Sequence, residues 1–480
     1  MTRLNGTPLT DDFANGGVSF WYRQIGVPER RPALPGPRDY DVAIVGGGYT
    51  GMWTAYYLKK AQPDLRVAIL EREFAGFGAS GRNGGWLSAE FAGSRERHAA
   101  ARGRQAMIDL QHAMFAAVEE VIEVTRAEGI DADVHKGGLV HVATNPAQDR
   151  RLRAEVADLR RWGFDEQDMR PLTAQEREER IHVAGALSAA YSPHCARIQP
   201  AKLAVGLART VAALGVDVFE GTTVTEIRPR TGDGPGKAGR AAAVTDRGTV
   251  TAEYVIRATE GFTASIRGQR RQWLPMNSSM IVTEPLGERV WERIGWQGRE
   301  LLGDQAHAYI YAQRTADGRI AIGGRGVPYR FGSRTDVRGA TQPQTVAALY
   351  RMLTTLFPAT AGARIQHSWC GVLGVPRDWC STVHLDHATG LGWAGGYVGS
   401  GVTTTNLAGR TLRDLVLRRR TELTGLPWVG RQVRQWEPEP LRWLGVQAIY
   451  ALFRTADRHE NAQMSRTSAY ARLAGLISGR

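Results

Sequence analysis

The sequence predicts an α/β chain in which a parallel sheet flanked by helices is interleaved with an α+β unit built on an antiparallel sheet. Three observations point there. Residues 41–71, DVAIVGGGYTGMWTAYYLKKAQPDLRVAILE, run as an apolar strand, a glycine cluster, a helical pattern and a second apolar strand ending in an acid. Glycine-rich turns return at 76–85 and again far downstream at 395–401. Between them, HKGGLVHVAT and DGRIAIGGRGV read as short strands, with the helical stretches PAQDRRLRAEVADLRRWGF and TQPQTVAALYRMLTTLFP beside them.

The first element, DVAIV, has no polar alternation and so reads as a strand buried on both faces, as parallel strands are. Gly46, Gly48 and Gly51 then supply GxGxxG, with Tyr49 and Thr50 between them at the mouth of the helix. The first glycine permits a tight turn, the second lets a pyrophosphate approach the backbone, and the third lets helix and strand pack closely. The phosphates face a helix N-terminus, where unpaired amides favour negative charge. Glu71, with Arg72 after it, ends the second strand about 20 residues past the last glycine, the spacing of an acid that binds a ribose diol. A carboxylate there repels a 2′-phosphate, so the ligand expected is an adenine dinucleotide other than NADP.

The next stretch, EFAGFGASGRNGGWLS, places Ala79, Ser80, Arg82, Asn83, Gly84 and Gly85 in a loop of glycines and polar donors, suited to run along the pyrophosphate and ribityl chain of a flavin. The last turn, GGYVGSGVTTTNLAGRTLRDLV, opens a helix from Gly396, Gly399 and Gly401 through Val402, Thr403 and Thr404. A helix N-terminus there aims its amides at something electron-rich.

Taken in order, DVAIVGGGYTGMWTAYYL, GASGRNGG, RATEGFT and GWAGGYVGSGVTTTNLAGRTLRDLVL resemble the signature of the FAD-dependent oxidoreductases of the D-amino acid oxidase family, nearest the branch that holds γ-glutamylputrescine oxidase and, more distantly, glycine and sarcosine oxidases. The resemblance implies a Rossmann-type, glutathione reductase-like FAD-binding domain from 36–110, 195–270 and 365–425, and an α+β substrate domain from 111–194 and 271–364. Residues 1–35 are expected as an N-terminal extension and 426–480 as a C-terminal helical segment, in which LRWLGVQAIYALF is a packing helix. Val224 is expected to face the adenine, Thr259 the pyrophosphate, and the 395–401 turn the flavin C2 carbonyl and N1.

The chemistry implied is oxidation of an amine CH–NH bond to an imine, hydrolysed to a carbonyl, with O2 reoxidising the flavin to give H2O2. FAD is expected to be held non-covalently, with Cys370 the one candidate for a covalent link; no metal is expected. Leu373 falls where glycine oxidases carry an arginine and Thr403 where sarcosine oxidases carry a lysine, which favours an amine without an adjacent carboxylate. Arg82, Arg314, Arg325 and Arg377 are the possible substitutes. Ala321 stands where sarcosine oxidases have a lysine above the ring, which keeps a dehydrogenase with another acceptor in play. Pocket candidates are Tyr309, Tyr311, Met280 and Trp369, with no general base assigned.

Composition bounds the rest. The 480 residues are 42% hydrophobic, enough for two or three cores, and no run reaches the length of a membrane span. Cys195, Cys370 and Cys380 are too few and scattered for a disulfide framework, so a cytoplasmic protein is expected. The net charge of +13 is spread along the chain without a nucleic-acid-binding motif, and no specific nucleic-acid partner is expected. The segment TGDGPGKAG at 231–239 reads as a solvated hairpin loop.

Overall fold

A computed structural model describes residues 3–230, 239–324, 329–335, 338–462 and 466–478. Most of the expected 231–239 loop and Arg325 therefore lie outside the described residues. Two large sheets organise the chain. In the first, the strand Arg38–Val45 lies between Val67–Leu70 and Gly248–Arg257, parallel to both, with Ile44 opposite Ile69 on one side and Ile256 on the other. Val42 and Ile44 pack against the helices on one face while Ala43 and Val45 pack with Val224, Ala243 and Val250 on the other, so Val42–Val45 are all buried. Asp217–Phe219 extends the sheet beyond Val67–Leu70, and Leu391–Gly395 adds in parallel to the end of Gly248–Arg257. The strands thus end together, in the arrangement that leaves a ligand crevice at their carboxyl ends.

The helices Tyr49–Ala61 and Gly401–Val416, some 350 residues apart in sequence, pack side by side on this sheet. Each begins at a glycine-rich turn, so their N-termini reach the same edge. Their shared core includes Met52, Trp53, Leu407, Ala408 and Leu412, none of them exposed. Burying an aliphatic side chain of this kind is worth about 1.5–3 kcal/mol.

The second sheet has ten strands. The expected antiparallel order holds for Leu274–Thr283, Ile320–Gly324 and Tyr311–Arg314. Two pairings are parallel: Ile365–Val375 with Thr7–Asn15, and Leu301–Asp304 with Leu139–Ala143. The sheet is therefore mixed, and its elements cross the expected divisions. Thr7–Asn15, read as part of an extension, is an integral strand, and Ile365–Val375, read as the start of a cofactor segment, runs beside Leu274–Thr283. The helix Arg95–Ala127 likewise spans the division expected at 110. The stretches read as helices at 146–162 and 343–356 are helices, and the C-terminal segment contains Leu441–Asn461, which buries Val446, Ile449, Tyr450 and Phe453. Among the described residues no helix is long and apolar enough to cross a membrane.

Candidate active site

At the carboxyl ends of the parallel strands lies a cleft of about 1150 Å³. Its floor begins where Val45 gives way to Gly46. The turn then folds so tightly that a Cβ on Gly51 would stand 2.1 Å from the Gly46 carbonyl oxygen, a position only glycine can fill. Gly48 caps the following helix with no side-chain hydrogen bond. Glu71 grips this turn: its Oε2 accepts from Gly47 N at 2.8 Å and its Oε1 from Glu73 N at 2.9 Å. Burial raises its pKa while those two donors oppose the shift. Each oxygen keeps a second lone pair for a hydroxyl in the cleft.

The 76–85 loop forms the next wall. Ser80 Oγ accepts from Tyr49 N at 2.8 Å, tying the loop to the first helix. Asn83 Nδ2 donates to Ser80 O and its Oδ1 accepts from Gly85 N, both at 2.8 Å, so the side chain bridges the short 3-10 turn Ala79–Gly81 to the residues that follow it. The Trp21 indole donates to Asn83 O and Gln313 Nε2 to Gly84 O. A Cβ on Gly84 would meet the Tyr311 ring at 2.8 Å, so the loop backbone lies directly on that aromatic face.

The other end of the cleft is the turn before the second helix, where Tyr397, Val398, Gly399, Gly401, Val402 and Thr405 line the wall. The N-cap, Ser400, makes no side-chain cap. Two helix N-termini without side-chain caps thus open onto one cleft, supplying backbone donors at both ends. The Tyr397 hydroxyl meets Thr50 Oγ1 at 3.0 Å and holds the two helix starts together.

Beyond this turn lies a chamber of about 750 Å³ lined by Trp86, Ser88, Glu90, Ser278, Tyr309, Tyr311, Gly371 and Leu373, together with Arg82 and Asn83 from the loop. Arg82 is committed to the fold: Nε donates to Phe77 O, Nη1 to Cys370 O, and the guanidinium lies over the Phe77 ring. Tyr311 is oriented by Ser278 Oγ at 2.8 Å. Glu90 lies where the chamber meets a wider vestibule that also holds His141, Glu155 and Asp304. Burial pushes His141 down, but the Glu90 hydrogen bond and the Glu155, Glu90 and Asp304 charges outweigh it and bring its pKa to about 9.

Of the candidates read from sequence, Gly46, Gly48, Tyr49, Thr50, Glu71, Arg72, Ala79, Ser80, Asn83, Val224, Thr259, Gly399, Gly401 and Val402 line the cleft, and Arg82, Gly84, Tyr309 and Tyr311 the chamber. Gly51, Gly85, Gly396, Thr403 and Thr404 line neither; they shape the turns and the helix start behind the walls. Met280 and Trp369 lie in a core cluster with Phe20, Trp21 and Ala321, behind the 82–84 backbone, where the Trp369 indole donates to Arg82 O. Cys370 is buried with Sγ toward Asn277 Oδ1 and the Gly371 carbonyl, and it lines neither cavity. Arg314 is spent on Trp296 O, Gln297 and the Trp291 ring, and Arg377 on Glu437 and the Trp436 ring. Neither reaches the chamber.

Sequence reasoning missed Glu260, Phe262, Tyr397 and Glu90. The first three lie inside quoted motifs, RATEGFT and GGYVGSG, where attention went to the glycines. Glu90 has no motif at all; only the pairing of Trp86–Ser88 with Cys195–Arg197 carries it to the chamber.

The arrangement fits FAD: a long cleft with backbone donors at both ends, a carboxylate with spare lone pairs near one of them, and a chamber at the other. Comparison with known proteins agrees. The family model described as "DAO: FAD dependent oxidoreductase" matches residues 41–415. The chain is 32% identical to Gamma-glutamylputrescine oxidoreductase of Escherichia coli strain K12, over 78% of this chain and 83% of that protein. It is 29% identical to Probable oxidoreductase OrdL of Rhizobium meliloti, over 84% of this chain and 89% of that one. Among solved structures, glycine oxidase from Geobacillus kaustophilus superposes with a TM-score of 0.66 at 25% identity, covering 80% of this chain and 96% of that one.

Proposed function

The chain belongs to the DAO family of FAD dependent oxidoreductases, and from that premise we propose that it oxidises the CH–NH bond of an amine bearing no adjacent carboxylate to an imine. Water hydrolyses the imine to a carbonyl, and O2 takes the electrons to give H2O2. FAD held in the cleft would supply the oxidation, as the acceptor of a hydride equivalent from the amine carbon. The protein's own residues bind, orient and exclude water. Glu71 would hold the ribose hydroxyls, the amides around Gly48–Thr50 the phosphates, and the Tyr397–Gly401 turn would offer donors where negative charge develops. Trp86, Tyr309 and Tyr311 wall the reaction chamber and leave one face for the substrate.

The observation that carries the choice of substrate is the chamber's charge. Among the described residues its lining contains one basic and one acidic side chain, Arg82 and Glu90; Arg82 already donates to two carbonyls, and Leu373 occupies the wall. A substrate carboxylate beside the reacting carbon calls for a cation available for a bidentate pair, and the guanidinium of Arg82 is committed to backbone carbonyls instead. The E. coli relative carries γ-glutamylputrescine in its name and the Geobacillus structure glycine; the chamber favours an amine over an α-amino acid such as glycine.

A panel of amines and amino acids scored by flavin bleaching under argon tests this. Amines should bleach the visible flavin band and α-amino acids should not; the reverse order would overturn the proposal. Admitting air then reports the acceptor. The buried apolar environment of Ala321 gives a second reading, a dehydrogenase using another acceptor, and a flavin that stays bleached in air would select it.

A further inference from the structure

Glu260 is a half-buried acid of the cleft wall that the proposed reaction does not use. It follows the central strand Gly248–Arg257, lines the cofactor cleft, and holds a left-handed backbone, φ +41°, that a non-glycine residue adopts only under constraint. Its side chain explains the constraint. Oε1 accepts from Tyr397 N at 2.9 Å, on the turn before the second helix, and Oε2 accepts from Gly374 N, at the end of the strand Ile365–Val375. A Cβ on Gly374 would stand 2.3 Å from Oε2, so the strand end closes directly on the carboxylate.

One carboxylate therefore joins three segments: the parallel sheet that carries Glu260, the ten-stranded sheet through Gly374, and the second helix start through Tyr397. All three supply cleft wall, as Thr259, Leu373 and Gly399. Leu373 and Gly399 also line the chamber, so the same joint sets where the cleft meets the chamber. We propose that Glu260 is the positioning residue that fixes the Tyr397–Gly401 turn against the strand bearing Leu373, and so presets the site for the flavin ring. The inference rests on the cleft holding FAD.

The joint requires two acceptor oxygens on one side chain. Glutamine offers one acceptor and turns an NH2 toward the other backbone N–H, where donor faces donor. The carboxyl is kept although burial lifts its pKa to about 7 against the pull of the Tyr397, Gly374 and Gly396 amides and the Arg257 charge. A carboxyl kept here despite that cost is explained by the two backbone donors it holds in place.

The test is Glu260→Gln in the full chain, read by FAD affinity and by the position and fine structure of the bound-flavin absorbance, with the thermal midpoint of the FAD-free protein as control. The expected result is a loss of FAD affinity of roughly tenfold or more and an altered flavin spectrum, with the FAD-free midpoint within a few degrees of the parent. An unchanged affinity and spectrum would overturn the inference, as would a loss fully matched by general destabilisation. Hydrogen exchange on the native chain supplies a second measurement that needs no variant. The Gly374 and Tyr397 amides should exchange slowly before FAD is added; rapid exchange that slows only on loading would mean the ligand, not Glu260, sets the turn. A native chain that binds no FAD would instead sink the cofactor reading itself.

Discussion

At the scale of single residues, carboxylates do most of the positioning. Glu71 accepts two backbone donors beneath the first glycine turn, each a charge-assisted bond worth about 1.5–3 kcal/mol. Glu71→Gln turns one of those contacts into a donor facing a donor and weakens what the turn can offer a ribose. We expect FAD affinity to fall roughly ten- to a hundredfold, measured by titrating flavin fluorescence; an unchanged affinity would place the ribose elsewhere. His141 offers a pH test. Its folded pKa is raised to about 9 from the ordinary imidazole value of 6.5, so its charged contacts with Glu90 and Glu155 stabilise the fold fully below about pH 6.5 and are lost as pH rises through about 9. Glu90 and Glu155 are partly exposed, so about 1–2 kcal/mol is expected after screening. The thermal midpoint of the native chain should fall more steeply between pH 6.5 and 9 than that of His141→Gln; equal slopes would contradict the assignment. Residue by residue, the cleft was legible in sequence because its walls come from short motifs whose spacing is set by a turn and a helix. The chamber was not. Met280 and Trp369 were read as walls because strand alternation shows that a residue is on a face without showing which layer covers it, and here the 82–84 backbone lies between them and the cavity.

At the scale of elements, the site depends on two helices that the chain separates widely. Gly409 sits where they touch: a Cβ there would meet the Trp53 backbone carbon at 2.7 Å and its Cβ at 2.8 Å. Gly409→Val forces the helices apart at their closest approach, at a cost of about 1–3 kcal/mol by analogy with overpacked cores. Because both helix N-termini face the cleft, the thermal midpoint and FAD affinity should fall together; a lowered midpoint with full affinity would show that the helix spacing does not set the site. The strand, turn and helix around 41–71 were legible as a local unit, since each signal lies within a few residues of the next. The ten-stranded sheet was only half legible. Its strands could be seen, but their neighbours are chosen by contacts far apart in sequence, such as Ser368 with Asn15. No period within either strand records that partnership, which is why the first residues read as an extension.

At the scale of the whole molecule, charge and topology pull against each other in a useful way. The chain carries a net charge of +13, yet among the described residues the one guanidinium lining the chamber, Arg82, is already engaged. A basic surface can draw in anions without specificity, and the chamber does not reward an anion beside the reacting carbon. The interleaved order of segments ties cofactor binding to the fold, because Gly46–Gly51, 76–85, Thr259–Glu260 and 397–401 lie far apart in sequence and meet around one cleft. The most direct test of that convergence is the absorbance of the purified chain titrated with FAD. One FAD per chain should bind, with flavin bands shifted and sharpened from those of the free cofactor, and an amine added under argon should abolish them. A colourless chain that leaves the spectrum of added FAD unaltered would contradict the account at its root.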